Sequence, residues 1–80
     1  MIRNPWDQIH NEFTFATRKY EKFNSAHEGY AVIKEELDEL WEEVRKKKEK
    51  RNIPQMRREC VQIAAMAVRF IYDVCNQGEE

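Results

Sequence analysis

Apolar residues recur at the three- and four-residue intervals of an α-helix in separate stretches of this chain. Trp6, Ile9, Phe13, Ala16, Tyr20 and Phe23 form the first seam. Asn4 is a good N-cap, Pro5 suits the first helical position and Asp7 favours the positive helix end, so the spacing predicts a helix from about Pro5 to Phe23. Asn24-Ser25 interrupts the seam. Ser25 with Glu28 makes a capping box, which starts a second helix near Ala26 and carries it to about Lys50. Its apolar centre is Ile33, Leu37, Leu40 and Val44, with Trp41 on one flank. A break near Asn52-Ile53-Pro54 precedes a third helix, about Pro54 to Asn76. Met56, Ile63, Ala67, Phe70 and Val74 are its expected core stripe, widened by Cys60, Ala64 and Ile71. Gly78 and the two terminal glutamates read as a frayed end. The pattern predicts an all-α fold, a three-helix protomer in a single domain spanning residues 1–80.

Polar rows border two of these apolar stripes. Glu36, Glu39 and Glu43 run along one flank of the second helix, while Glu35, Asp38 and Glu42 point further out. On the third helix, Glu59, Gln62, Met66, Arg69 and Asp73 line the border. The short connection makes these two helices antiparallel. Taking Glu36 and Glu39 as early in the second helix and Glu59 as early in the third sets them at opposite ends of a simple pair. On that reading a stagger, a loop offset or a subunit boundary is needed to bring them together.

Eighty residues bury only a modest core. The cysteines do not remedy this. Cys60 and Cys75 fall on one predicted helix, roughly 22 Å apart at its rise per residue, so they read as reduced, packed thiols. Self-association is the expected source of further stability, as an oligomeric helix bundle. A formal net charge of -1 gives no general reason to expect a nucleic-acid partner. No apolar run is long enough for a membrane span, and Met1 to Trp6 lacks the apolar stretch of a signal peptide, which points to the cytoplasm.

Carboxylates three residues apart on one helix, with Glu59 on the next, have the chemistry a hard divalent cation requires, because such ions take oxygen ligands. Clustered carboxylates without a cation repel and raise one another's pKa. The competing reading is a solvated acidic face. The basic run Arg45 to Arg51, with Arg57 and Arg58, reads first as a solvated helix end and second as a phosphate contact. Arg69 has two uses open to it, a phosphate or Asp73 one turn on. Trp6 and Trp41 suit a core, an interface or a stacked base, and His27 a helix cap or a substrate contact. There is no Cys/His zinc spacing, glycine-rich phosphate loop or evident nucleophile–base pair.

The run Glu35-Glu36-Leu37-Asp38-Glu39 resembles the Glu-Glu-x-x-Glu motif of the MazG-like, all-α nucleoside triphosphate pyrophosphohydrolases. Glu59-Cys60-Val61-Gln62 stands where that family has Glu-x-x-Asp, and the stretches His27 to Val32 and Gln62 to Ala67 are also similar to members of the group. The resemblance covers about Ser25 to Val74. It implies magnesium-dependent cleavage of a (d)NTP to a (d)NMP and pyrophosphate, with manganese as an alternative ion. It also implies Glu36, Glu39 and Glu59 as metal ligands, Gln62 beside them, Glu35 as the motif's remaining catalytic glutamate, and Arg69, Trp41 and His27 as candidate substrate contacts. Gln62 is a departure, since it offers a neutral carbonyl oxygen where the family's aspartate offers a charged one. A non-catalytic nucleotide- or metal-binding relative and a plain helical interaction module are the competing expectations.

Overall fold

Each long helix starts where a side chain can take up an orphan backbone N–H. Asn4 Oδ1 accepts from the Trp6 amide at 2.8 Å, Ser25 Oγ from Glu28 at 3.0 Å and Asn52 Oδ1 from Gln55 at 3.0 Å. The computed structural model describes residues 4–78, in which these caps open α1 (Pro5–Lys19), α2 (Ala26–Val44) and α3 (Ile53–Phe70). The capping box at Ser25 closes one residue early, because Glu28 Oε1 takes the Asn24 amide. α3 runs on through a π-helical turn, Ile71–Cys75, into a last turn, Asn76–Gly78. The fraying expected of Glu79 and Glu80 lies outside the described residues.

Two helices end sooner than their periodicity predicts. α1 stops at Lys19, and Tyr20 is extended (φ -116, ψ 152). Tertiary bonds win there: Arg69 holds the Glu21 carbonyl and Asp73 holds the Phe23 amide. α2 stops at Val44, followed by a turn and a short 3-10 segment, Lys48–Lys50. The predicted extension carried closely spaced cations, which repel one another along a helix. Arg51 Nε instead caps the Val44 carbonyl at 3.0 Å, and Glu43 Oε1 accepts the Asn52 amide at 2.9 Å.

α1 and α2 each pack chiefly against α3, which forms the centre of the molecule. The small core holds Ala16, Phe23, Ala65 and Met66, with Phe13, Val32, Ile33, Phe70 and Val74 packed around it. The expected core stripe of α3 holds in part: Phe70 and Val74 pack on the core, and Met56 and Ile63 are half-buried. Ala67, Cys60 and Ile71 are exposed, whereas Glu59, Met66 and Arg69 from the border row are buried. Likewise Leu37 and Trp41, expected along the packed side of α2, are 52% and 57% exposed. Both cysteines are free and exposed, not packed.

These exposed residues form a connected apolar face. Tyr30, Leu37, Trp41 and Val44 lie along one flank of α2, and Ile53, Cys60, Ala67 and Ile71 along one flank of α3. In an antiparallel pair the two flanks emerge on the same side. The whole chain exposes 6442 Å², against about 5100 Å² for a compact monomer of its 9.7 kDa mass. Its radius of gyration is 14.0 Å, against about 11.6 Å for a compact chain of this length. Among the described residues no helix is long and apolar enough to cross a membrane.

Gly29 lets α2 sit directly against the Phe70 ring of α3. A Cβ there would stand 2.6 Å from the Phe70 ring and 3.0 Å from Phe23. In an unconstrained helix Gly→Ala stabilises by about 1 kcal/mol. Here Gly29→Ala is expected to destabilise by about 1–3 kcal/mol, through overpacking against two rings. Urea denaturation of the two proteins checks the sign.

Candidate metal centre

Residues equally distant from the connecting loop face each other in an antiparallel pair. Glu39 lies five residues before the end of α2 at Val44, and Glu59 six residues after the start of α3 at Ile53. They are therefore opposite one another. The expected separation to opposite ends is wrong, because Glu36 and Glu39 fall in the later half of α2. No stagger or second subunit is needed. One carboxylate oxygen from each of Glu36, Glu39 and Glu59 lies within 4.8 Å of the others, all from one chain.

Burial grades across the trio: Glu39 is exposed, Glu36 half-buried and Glu59 only 6% exposed. Glu59 is held from below by its own helix. Gln55 Nε2 donates to Glu59 Oε2 at 2.5 Å, and Arg58 Nη2 donates to Gln55 Oε1 at 2.5 Å. Gln55 is one helical turn before Glu59, so this support was visible as an i, i+4 amide–carboxylate pair that the sequence reading passed over.

The outer acids behave differently. Asp38 pairs with Lys34 at 3.0 Å, Glu42 with Arg45 at 3.4 Å and Glu43 with Lys46 at 2.8 Å. Among the described residues no ion pair joins a cation to Glu36, Glu39 or Glu59. Burial pushes the Glu36 carboxyl up to about 7, helped by its bond to Glu39 and by the charges of Glu39, Glu59 and Glu35. Burial also raises Glu59, opposed by the Gln55 bond and reinforced by Glu39. Glu43 moves the other way, held low by Lys46 and by the Asn52 amide. It serves the loop and does not join the trio.

The trio lies in a groove of about 730 Å³. Glu35 and Gln62 line this groove, as do Phe15, Tyr20, Lys22 and Arg58. Glu35 is exposed and Gln62 half-buried. Phe15, Tyr20 and Lys22 had no part in the expected site, because only the packing of α1 and its following loop brings them there; Arg58, expected only as part of a basic patch, stands beside Glu59 on α3. Trp41 and His27 are exposed and do not line it. Arg69 does reach the lining, but its guanidinium is 4% exposed and bonded to the Glu21 carbonyl at 2.8 Å, beside Asp73 at 3.8 Å. Of its two expected uses, the structure shows the pairing with Asp73.

No family model, curated protein or solved structure matches this chain.

The donor set fits a hard cation: three carboxylates, no sulfur or nitrogen, and mutual repulsion that a cation would relieve. The spread of 4.8 Å is close to the ~4.2 Å that separates opposite ligands at magnesium–oxygen bond lengths. The shifted acid has a consequence for stability. Unfolded, Glu36 loses its proton near 4.5; folded, it keeps it to about 7. The folded state holds the extra proton between those values, so this contribution is complete below 4.5 and lost as pH rises through about 7. The metal-free protein is expected to melt lower at pH 8 than at pH 5.5. Glu36→Gln is expected to flatten that difference and raise the pH 8 melting temperature. Scanning calorimetry of both proteins in a chelator-treated buffer reads it.

Proposed function

We propose that this chain is a magnesium-dependent nucleotide pyrophosphohydrolase, converting a (d)NTP and water to a (d)NMP and pyrophosphate. The observation that carries the reading is the convergence of Glu36, Glu39 and Glu59 from two helices, without a paired cation among the described residues, in a groove large enough for a nucleotide. Its resemblance to the MazG-like motif adds the reaction type.

In this reading Glu36, Glu39 and Glu59 hold the ion, and Gln62 contributes a neutral oxygen one turn after Glu59. Magnesium, or manganese, would neutralise the triphosphate and polarise its phosphoryl oxygens. Gln55, braced by Arg58, fixes the Glu59 carboxylate so that little reordering is needed when the ion arrives. Glu35 lines the same groove outside the trio, and we assign it to accept the proton of the attacking water. Lys22 and Arg58 are the lining cations suited to phosphate oxygens, and Phe15 and Tyr20 the rings suited to a base. The second reading, a nucleotide- or metal-binding protein without turnover, is favoured by Gln62, which leaves the site one charge poorer than the family motif.

The assembly is part of the proposal: copies of the chain associate through the outer face of α2 and α3. Tyr30, Leu37 and Trp41 are 62%, 52% and 57% exposed on that side of α2, and a standard interface takes about 800 Å² from each partner. Large apolar side chains stand there, with Ile53 65% and Ile71 52% exposed.

Pyrophosphate release from a panel of ribo- and deoxyribonucleoside triphosphates, with magnesium and with manganese, tests the chemistry. Glu39→Gln is expected to cut release by a factor on the order of 100, and Gln62→Asp to tighten metal binding by raising the ligand charge. No release by the wild-type chain, with metal still bound, selects the second reading. For the assembly, light scattering is expected to give more than one chain mass for the wild type and one chain mass for Trp41→Glu with helicity retained. A monomeric wild type rejects that part.

A further inference from the structure

We infer that Arg69 and Asp73 are positioning residues that fix one wall of the groove and thereby set nucleotide affinity without touching the nucleotide. The inference rests on the nucleotide reading of the groove.

The wall is the non-helical segment between α1 and α2. Residues 20 to 24 all line the groove, and none lies in a helix. Between the Tyr20 amide, bonded to the Ala16 carbonyl, and the Asn24 amide, bonded to Glu28, the segment needs a further hold, since its backbone there has no ladder or helix. Arg69 and Asp73 supply that hold from the far end of α3. Arg69 Nη2 donates to the Glu21 carbonyl at 2.8 Å, and the guanidinium carbon sits 4.6 Å from the centre of the Phe23 ring. Asp73 Oδ2 accepts the Phe23 amide at 3.2 Å and lies 3.8 Å from Arg69 Nη2. The two side chains are 5% and 11% exposed, so Arg69 cannot swing to a phosphate without leaving the Asp73 carboxylate buried and unpaired.

Three details make this more than a packing contact. The clamp holds one chain segment by carbonyl, ring and amide, so it defines where the wall stands. Asp73 sits in the middle of the π-helical turn, Ile71–Cys75, an irregularity found disproportionately at functional positions. The clamp also stands apart from the acidic trio: Glu36 and Glu39 are on α2, and Glu59 is ten residues before Arg69 on α3. Wall and ion site are thus held by different groups.

The test uses Asp73→Asn, which keeps shape and an acceptor for the Phe23 amide but removes the charge facing Arg69, alongside Arg69→Met and Arg69→Lys. Should Arg69→Met fail to fold, the near-isosteric Asp73→Asn carries the test. Amide exchange at residues 21–24 is measured without nucleotide, Mn²⁺ binding is measured alone, and the four deoxyribonucleoside triphosphates are used for binding and turnover. In Asp73→Asn, exchange at the Phe23 amide is expected to quicken about tenfold. KM is expected to rise about tenfold with kcat changed less than twofold. Mn²⁺ affinity should stay put, and Arg69→Lys should recover part of what Arg69→Met loses. Faster exchange with unchanged nucleotide affinity overturns the inference, because the clamp then only stabilises the fold. Lost affinity in the Arg69 variants without faster exchange also overturns it, because Arg69 then binds nucleotide directly. If the wild type binds none of the four nucleotides, the nucleotide reading fails and this inference falls with it.

Discussion

A charged row on the inward face of α3 has to be satisfied, and the rest of the molecule is arranged around that requirement. Glu59 and Arg69 are both buried, at 6% and 4% exposure, and burying either without partners would cost several kcal/mol. Arg69 is answered by the Glu21 carbonyl, the Phe23 ring and Asp73, and that answer bends the chain out of α1. Glu59 has one neutral donor, Gln55, and acidic neighbours across the helix pair. The first end of the row is closed by the protein itself. The second presents concentrated negative charge to a groove.

The same choice of face explains where the apolar surface goes. A helix that turns Glu59, Gln62 and Arg69 toward its neighbours turns Cys60, Ala67 and Ile71 away from them. Only four apolar side chains are buried in the described part of the chain, Ala16, Phe23, Ala65 and Met66, so the protomer leaves much hydrophobic area open to water. Met66 and Phe70 of the core share that inward face with Glu59, while the outward flank stays open to water.

The helices and their starts were readable from caps and periodicity because both are local. Asn4 and Ser25 did what such residues do at a helix start. The ends of α1 and α2 were not readable, because they depend on bonds to distant partners: Arg69 and Asp73 in one case, Arg51 and Asn52 around the loop in the other. Of the bordering stripe Glu36, Glu39 and Glu43, the first two meet Glu59, while Glu43 turns to Lys46 and the Asn52 amide. Their meeting within one chain was not legible because α2 ends at Val44, which puts Glu36 and Glu39 in its later half, opposite the early Glu59. Periodicity identified the apolar face of α3 but not whether it faces the protomer's own core, since the pattern is the same for a core and for an interface. The aromatic and basic lining from α1 and its loop was invisible for a simpler reason. Nothing in a sequence states which side of a central helix a third one will choose.

Because Glu36, Glu39 and Glu59 all belong to one chain, every copy carries its own complete set of acids. Under the proposed activity and assembly, a chain damaged at the acids would be a passive companion: output in a mixed population would scale with the number of intact copies, and the damaged gene product would behave as recessive. Damage to the outer face of α2 and α3 would have a different reach under that proposal, since a shared surface is lost by both of its owners at once.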